Sequence, residues 1–355
     1  MSTTNHEPHS AGTESGPSRR SVLRYSALAA AVPAVGGLLR PGAAEAAEAA
    51  YDPVPPTALG PEIPAKGYLV QEVRGGLYWL TDGTYQMMFL VTGEGVVVVD
   101  APPTLGHNIL RAIGEVTARP VTHLVYSHHH ADHIGAAGIF PKGVVRIAHE
   151  RARHLLREDG DPNRPLPTRV FSESYRLEVG GKVLHLSYQG PNHSPDNIFI
   201  HAPAQRVLML ADVIFPGWVP FKGLAVSSDI PGWIKAHDQA LSFPFDTFIG
   251  GHLTRLGTRR DVEVQRAYVR DLERFTREAA ASVDPAPMFA KYPGNAWAVF
   301  KSYLDAVAEE ATGRMLPTWR GRLGAADVFT LDNAHVMHES LRIDHGVLGP
   351  FGIRP

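Results

Sequence analysis

Six consecutive residues constrain this chain more than any other stretch: His128-His129-His130-Ala131-Asp132-His133, entered from the apolar run Leu124-Val125-Tyr126. An apolar run ending in clustered histidines and a carboxylate reads as a buried strand that delivers side chains into a site at its carboxyl end. Strand side chains alternate, so His128 and His130 face one side while the chain stays extended. If the chain then turns, Asp132 and His133 face a neighbouring position a few ångströms away. Imidazole and carboxylate are zinc-type ligands, and an H-x-H-x-D-H spacing can serve two ions rather than one. Ala131 is small where the backbone must bend, and Gly135 lets a following helix pack close to the site. The competing reading is a solvated histidine patch. Five ligand-type residues in six, at a strand end, argue against it.

Composition narrows the class. The 355 residues are enough for about two domains on the length prior, or for one large sandwich. Charged residues at 20% and hydrophobic residues at 44% describe an ordinary globular protein, and a net charge of −2 offers no basic footprint for nucleic acid. There is no cysteine, which excludes disulfides, thiolate ligands and a lipid-modified cysteine anchor. Residues 1–46 read as an export signal: Arg19-Arg20 before Val22-Leu23, a mild apolar run from Tyr25 to Leu39, and Ala-x-Ala contexts around Ala44 and Ala46. The paired arginines resemble the twin-arginine pattern. The apolar run is short of the ~20 residues a membrane span needs and contains Pro33, so no stable membrane anchor is expected. Residues 47–66 read as a proline-rich lead-in.

Downstream, strand–turn–strand patterning covers Gly76 to Thr92, and the four valines Val96 to Val99 predict a strand buried on both faces. Asp100 ends that strand, where a turn residue is the plain reading. Leu105 to Val116 has helical spacing. Val144 to Ala148 reads as a strand, His149 to Glu158 as a basic helix, and Asp159 to Pro167 as a loop bordering the site. Val183 to Tyr188 is a strand leading to His193 in the Gly190–Asn197 loop, and Ile198 to His201 is the next. A buried strand from Arg206 ends at Asp212. The stiff aromatic segment holding Phe215, Trp218 and Phe221 suits either the wall of an apolar pocket or plain packing. Pro231 to Phe243 reads as a helix, Asp246 to Ile249 as a strand, and Gly250-Gly251 lets the backbone pass close to the site before His252. Helical faces mark Val262 to Val283 and Trp297 to Ala311. His335, His338 and His345 read as cap and surface residues.

The histidine stretch resembles the metal-binding motif of the metallo-β-lactamase superfamily, and the resemblance runs from Tyr68 to Leu256 with the site segments in order. It implies an α/β fold, the αββα sandwich of two mixed sheets, over residues 67–260, with a helical C-terminal extension over 261–355 that serves as a cap or a dimerisation element. It implies two Zn2+ per chain, with Fe or Mn as alternatives: His128, His130 and His193 on one ion, Asp132, His133 and His252 on the other, and Asp212 bridging both. Asp132 would also orient a hydroxide for attack on a carbonyl carbon, and Asp100 would brace the metal loop. Metallo-β-lactamases proper carry cysteine or serine at the position of Asp212, whereas aspartate is typical of the lactonase and glyoxalase II branches. The expectation is therefore an exported zinc hydrolase opening a small ester or lactone. A β-lactam or a thioester is the alternative substrate.

Overall fold

Val96 to Val99 show why two sheets form. All four are buried. Val96 and Val98 join an apolar cluster beneath Ile109, Ala112 and Leu156, while Val97 and Val99 join a second one with Leu184, Ile200 and Met209. With side chains alternating across a strand, a run of four valines therefore requires an apolar layer on each side. The computed structural model describes residues 51–253 and 255–351; the expected export signal lies outside the described residues.

The first sheet has seven strands in sequence order: β1 (Leu69–Arg74), β2 (Leu77–Thr81), β3 (Gln86–Val91), β4 (Val96–Val99), β5 (Val121–Val125), β6 (Val145–His149) and β7 (Arg169–Phe171). Pairing is antiparallel from β1 to β4 and parallel from β4 to β7. The second sheet is ordered β12-β11-β10-β9-β8, from β8 (Ser174–Val179), β9 (Lys182–Ser187), β10 (Phe199–Ala202), β11 (Val207–Met209) and β12 (Thr247–Ile249). Only its β11–β12 pair is parallel. A parallel pair needs a crossover, and helices on the outer faces supply it. The helices are α1 (Asn108–Val116), α2 (Ala131–Ile134), α3 (Glu150–Asp159), the short α4 (Lys222–Val226) and α5 (Ile230–Ser242). Asp229 caps α5 by accepting from Gly232 N at 2.7 Å. This is a mixed-sheet αββα fold with a helical C-terminal region.

That region holds α6 (Arg259–Ser282), α7 (Ala286–Lys291), α8 (Ala296–Trp319) and α9 (Ala326–Ile343). Helical patterning anticipated two of these helices. It missed α9, whose buried face includes Thr330, Asn333 and His338 and so carries a weak apolar stripe. His338 is 1% exposed, which corrects its reading as a surface residue, whereas Trp297, placed on a packing face, is 82% exposed. The C-terminal helices share one apolar cluster with the second sheet and α5, joining Phe199, Leu208, Trp233, Tyr268, Tyr303 and Trp319. Ala50 to Pro355 accordingly forms one compact unit. Among the described residues, no helix is long and apolar enough to cross a membrane.

Candidate metal centre

Each site segment leaves a strand end. β5 stops at Val125, and Ser127 N then donates to Asp100 Oδ1 at 2.7 Å. Ser127 Oγ meets His128 Nδ1 at 2.9 Å, which leaves Nε2 to point inward. The chain turns at once into α2, with His130 as its N-cap and Asp132 and His133 in its single turn. Asp100 Oδ2 lies 3.7 Å from His133 Nδ1, so one carboxylate steadies both halves of the motif. Asp100, directly after β4, and Asp212, in the turn that follows β11, both have left-handed backbones, at φ 65 and 63, a region aspartate tolerates better than most residues.

The second sheet contributes the rest. Ile198 N donates to Ser127 O at 3.0 Å, which brings the His193 loop against the histidine motif. Asn197 Nδ2 donates both to Asn192 Oδ1 and to Ala211 O, at 2.9 Å each, and so ties the His193 loop to the end of β11. Asp212 N donates to Gly250 O at 3.1 Å, and Trp233 Nε1 donates to Asp212 O at 3.2 Å. His252 is placed by Gln86 N donating to Gly251 O at 2.7 Å. A Cβ on Gly251 would lie 3.0 Å from His133 Cε1, so glycine is what permits this approach.

The result is a convergence on Asp212. Its Oδ2 lies 3.5 Å from His128 Nε2 and 3.1 Å from both His133 Nε2 and His193 Nε2, and its Oδ1 is 2.8 Å from His252 Nε2. Two four-residue groups could each hold an ion: His128, His130, His193 and Asp212, and Asp132, His133, Asp212 and His252. Within each, the ligand atoms lie within 4.8 Å of one another. Ring nitrogens face ring nitrogens at 2.9 Å (His193–His130) and 3.1 Å (His133–His252). His128 Nε2 is buried with no hydrogen-bond partner. Lone pairs gathered this closely, with a buried acceptor left open, fit a pair of cations.

Electrostatics agree with that fit. Burial, then the neighbouring histidines, pushes His128 well down, and burial with His193 and His129 pushes His130 down to about 4. Both rings are thus neutral, the form that binds metal. Burial alone would raise Asp212, but His133, His193 and His252 outweigh it and hold its carboxyl well below the usual range. His133 is opposed by burial yet pushed well up by Asp212 and Asp100, so this part of the site favours positive charge.

Above the ligands opens a cavity of about 530 Å³. His130, Asp132, His193, Asp212 and His252 form part of its lining, and Phe215, Trp218, Val219 and Phe221 form an apolar wall. Tyr85 faces them, with its hydroxyl 3.4 Å from Asp132 Oδ2 and its ring 4.7 Å from that of His252. Burial, then Asp132, pushes this phenol up to about 12, so it keeps its proton. The Asp159–Pro167 loop does not line the cavity. It braces the motif instead, through Arg164 Nη1 donating to His129 O and Tyr126 Oη donating to Pro165 O, each at 2.7 Å.

Several residues about the site escaped sequence reasoning. Asn197 lay inside the His193 loop with no role assigned. Gln265 of α6 accepts from Phe215 N at 2.7 Å and donates to Val213 O at 2.6 Å, holding the chain just after Asp212. A polar residue among Val262, Val269 and Leu272 was its one visible signal. Ala325 and Phe329 line the cavity from the C-terminal helices, and nothing local in the sequence marks them.

The model of the metallo-beta-lactamase superfamily matches residues 81–252, which run from the end of β2 to the last ligand-type histidine. The chain is 28% identical over 219 residues to the 2,4-dinitroanisole O-demethylase subunit alpha of Nocardioides sp. (strain JS1661), covering 60% of this chain and 64% of that one. It is 25% identical over 150 residues to metallo-beta-lactamase IND-1 of Chryseobacterium indologenes, covering 41% of this chain and 62% of that one. It therefore spans under two thirds of the length of either relative. In fold it resembles the metallo-beta-lactamase from Pontibacter korlensis, at a TM-score of 0.50 and 20% identity, over 57% of this chain and 99% of that one. The family model and the two relatives make residues 81–252 similar to the metallo-beta-lactamase superfamily, and the solved structure shows the likeness in fold.

Proposed function

We propose that the protein is an exported dinuclear-metal hydrolase that opens a small ester or lactone. One observation carries the reading: two ligand groups that share Asp212 at the floor of a largely apolar cavity. His128, His130, His193 and Asp212 would hold one cation, and Asp132, His133, His252 and Asp212 the other, with zinc the metal best suited to this nitrogen and oxygen set. A cation pair bound there supplies a water acidified to near pKa 7 and Lewis acidity for a carbonyl oxygen.

The chain's own residues do the rest. Asp132, whose side chain is 42% exposed, is the carboxylate that faces the cavity and can orient a nucleophilic water by accepting its proton. The Tyr85 hydroxyl beside it is a neutral donor that can hydrogen-bond a developing alkoxide. The aromatic wall excludes bulk water and strengthens both interactions. A carboxylate at position 212 places negative charge between the two ligand groups and so weakens Lewis acidity. An alkoxide tolerates that as a leaving group better than an amide nitrogen does.

Protein recovered from the culture fluid of its source, with its N-terminus after residue 44 or 46, is the material for the test. Zinc-loaded, it should open aryl esters and lactones. Opening of carbapenems at kcat/KM above ~10⁵ M⁻¹s⁻¹ with esters and lactones untouched is the outcome that overturns the ester reading. Retention inside the cell with an intact N-terminus is the outcome that overturns export.

A further inference from the structure

The aromatic segment gives the cavity an apolar wall, and Ala325 and Phe329, which lie beyond the 81–252 segment that matches the superfamily, complete it. Phe329 of α9 packs edge to face on Phe221 at 5.2 Å, and Ala325 and Val226 extend the same surface. Among the described lining residues, none is lysine or arginine. The cations that flank lining residues in sequence are engaged elsewhere: Lys222 lies 3.7 Å from Asp332, and Arg255 is paired with Asp261.

A second observation shows that this wall is held in place against backbone preference. Leu224, Ala225 and Val226 have φ of 53, 63 and 53, a left-handed run in which a β-branched valine is a true outlier. Such strain persists only where the surroundings over-determine it. Here α9 does so: Asn333 accepts from Leu224 N at 2.8 Å and donates to Pro220 O at 3.0 Å. The start of the aromatic segment is tied as well, with Gly324 N donating to Gly217 O at 2.9 Å and Val219 N donating to Gly324 O at 3.1 Å. The C-terminal helices thus set the shape of the pocket beside the metal centre.

We infer that this apolar wall, where Phe329 of the C-terminal helices meets Phe221 of the aromatic segment, selects substrates whose non-reacting portion is an uncharged aromatic group and rejects those that carry an anion there. An anionic group pressed against this wall would lose its water and meet neither a cation nor a hydrogen-bond donor. An aromatic ring would instead meet the edges and faces of Phe329 and Phe221. The inference rests on the proposed hydrolase reading for the reacting end of the substrate but concerns the other end.

The test measures binding separately from turnover. Calorimetry on the zinc-loaded protein compares 2-naphthol with 6-hydroxy-2-naphthoate, which adds a carboxylate at the far end. The neutral ligand is expected to bind at least tenfold more tightly, an order-of-magnitude figure for an uncompensated anion. Phe329→Ala should weaken 2-naphthol by about tenfold, the upper end for a lost aromatic pair. Phe329 is only half-buried, and Val226→Arg at the exposed mouth serves as a second variant, expected to recover binding of the carboxylated ligand. Equal affinity for the two ligands, or 2-naphthol binding indifferent to Phe329→Ala, overturns the inference even if esters are hydrolysed. Selective 2-naphthol binding with no ester or lactone turnover upholds it and rejects the ester and lactone reading instead.

Discussion

Asp212 answers to four imidazoles at once, and no other residue of the site does. His128, His133 and His193 approach one of its oxygens and His252 the other. Three of these rings, His133, His193 and His252, outweigh burial and hold its carboxyl well below the usual range. Replacement by alanine leaves two ligand groups with no shared anion between them. Asp212→Ala should lose at least one of two bound metal equivalents and about 10²-fold or more in kcat, the scale of other metal-site disruptions. Elemental analysis alongside kinetics checks this. Full metal content with unchanged kcat would reduce Asp212 to a strand-end residue.

At the scale of the element, α6 reaches the metal centre through one side chain. Gln265 is 2% exposed and holds Phe215 N, Val213 O and the Nε2 of His237, the last at 2.9 Å. Gln265→Leu keeps much of the volume but strands three buried polar groups. Stability should fall by about 3 kcal/mol at the rate typical of unsatisfied buried groups. Urea unfolding reads the loss, and a change under ~0.5 kcal/mol would mean that α6 does not anchor this chain. The same contrast explains what the sequence made legible. His128, His130, Asp132, His133, His193, Asp212 and His252 could be named because metal chemistry restricts residue type and each follows a recognisable strand. Gln265, Asn333 and Phe329 could not, because their roles depend on partners between 28 and 113 positions away. α9 was obscured for a related reason: its buried face is partly polar, and those polar groups find partners only in the folded chain.

For the molecule as a whole, acid is the condition that separates packing from metal binding. His237 of α5 is fully buried, its Nδ1 3.1 Å from Trp233 O and its Nε2 against Gln265. Burial pushes it down to about 4, from 6.5 for an exposed imidazole. A folded value below the unfolded one means that the unfolded chain binds the extra proton first. The stabilisation is therefore complete above pH 6.5 and is lost as pH falls toward 4. Between pH 8 and pH 5 the loss from this one ring is about 2 kcal/mol by linkage. Buried His338, also pushed down to about 4 by burial and then by Arg342, adds a loss of the same sign. Ala50 to Pro355 is one compact unit whose helical layer shares a core with the second sheet, so protonation at α5 destabilises the site-bearing sheets as well. His237→Gln isolates the term, because the rest of the chain is the same in both proteins and cancels in the difference. Metal-free wild type should be the more stable at pH 8, and its advantage over the variant should shrink by about 2 kcal/mol by pH 5. Urea unfolding at intervals between these limits measures it. A constant gap across that range would show that the His237 ring does not carry the acid sensitivity.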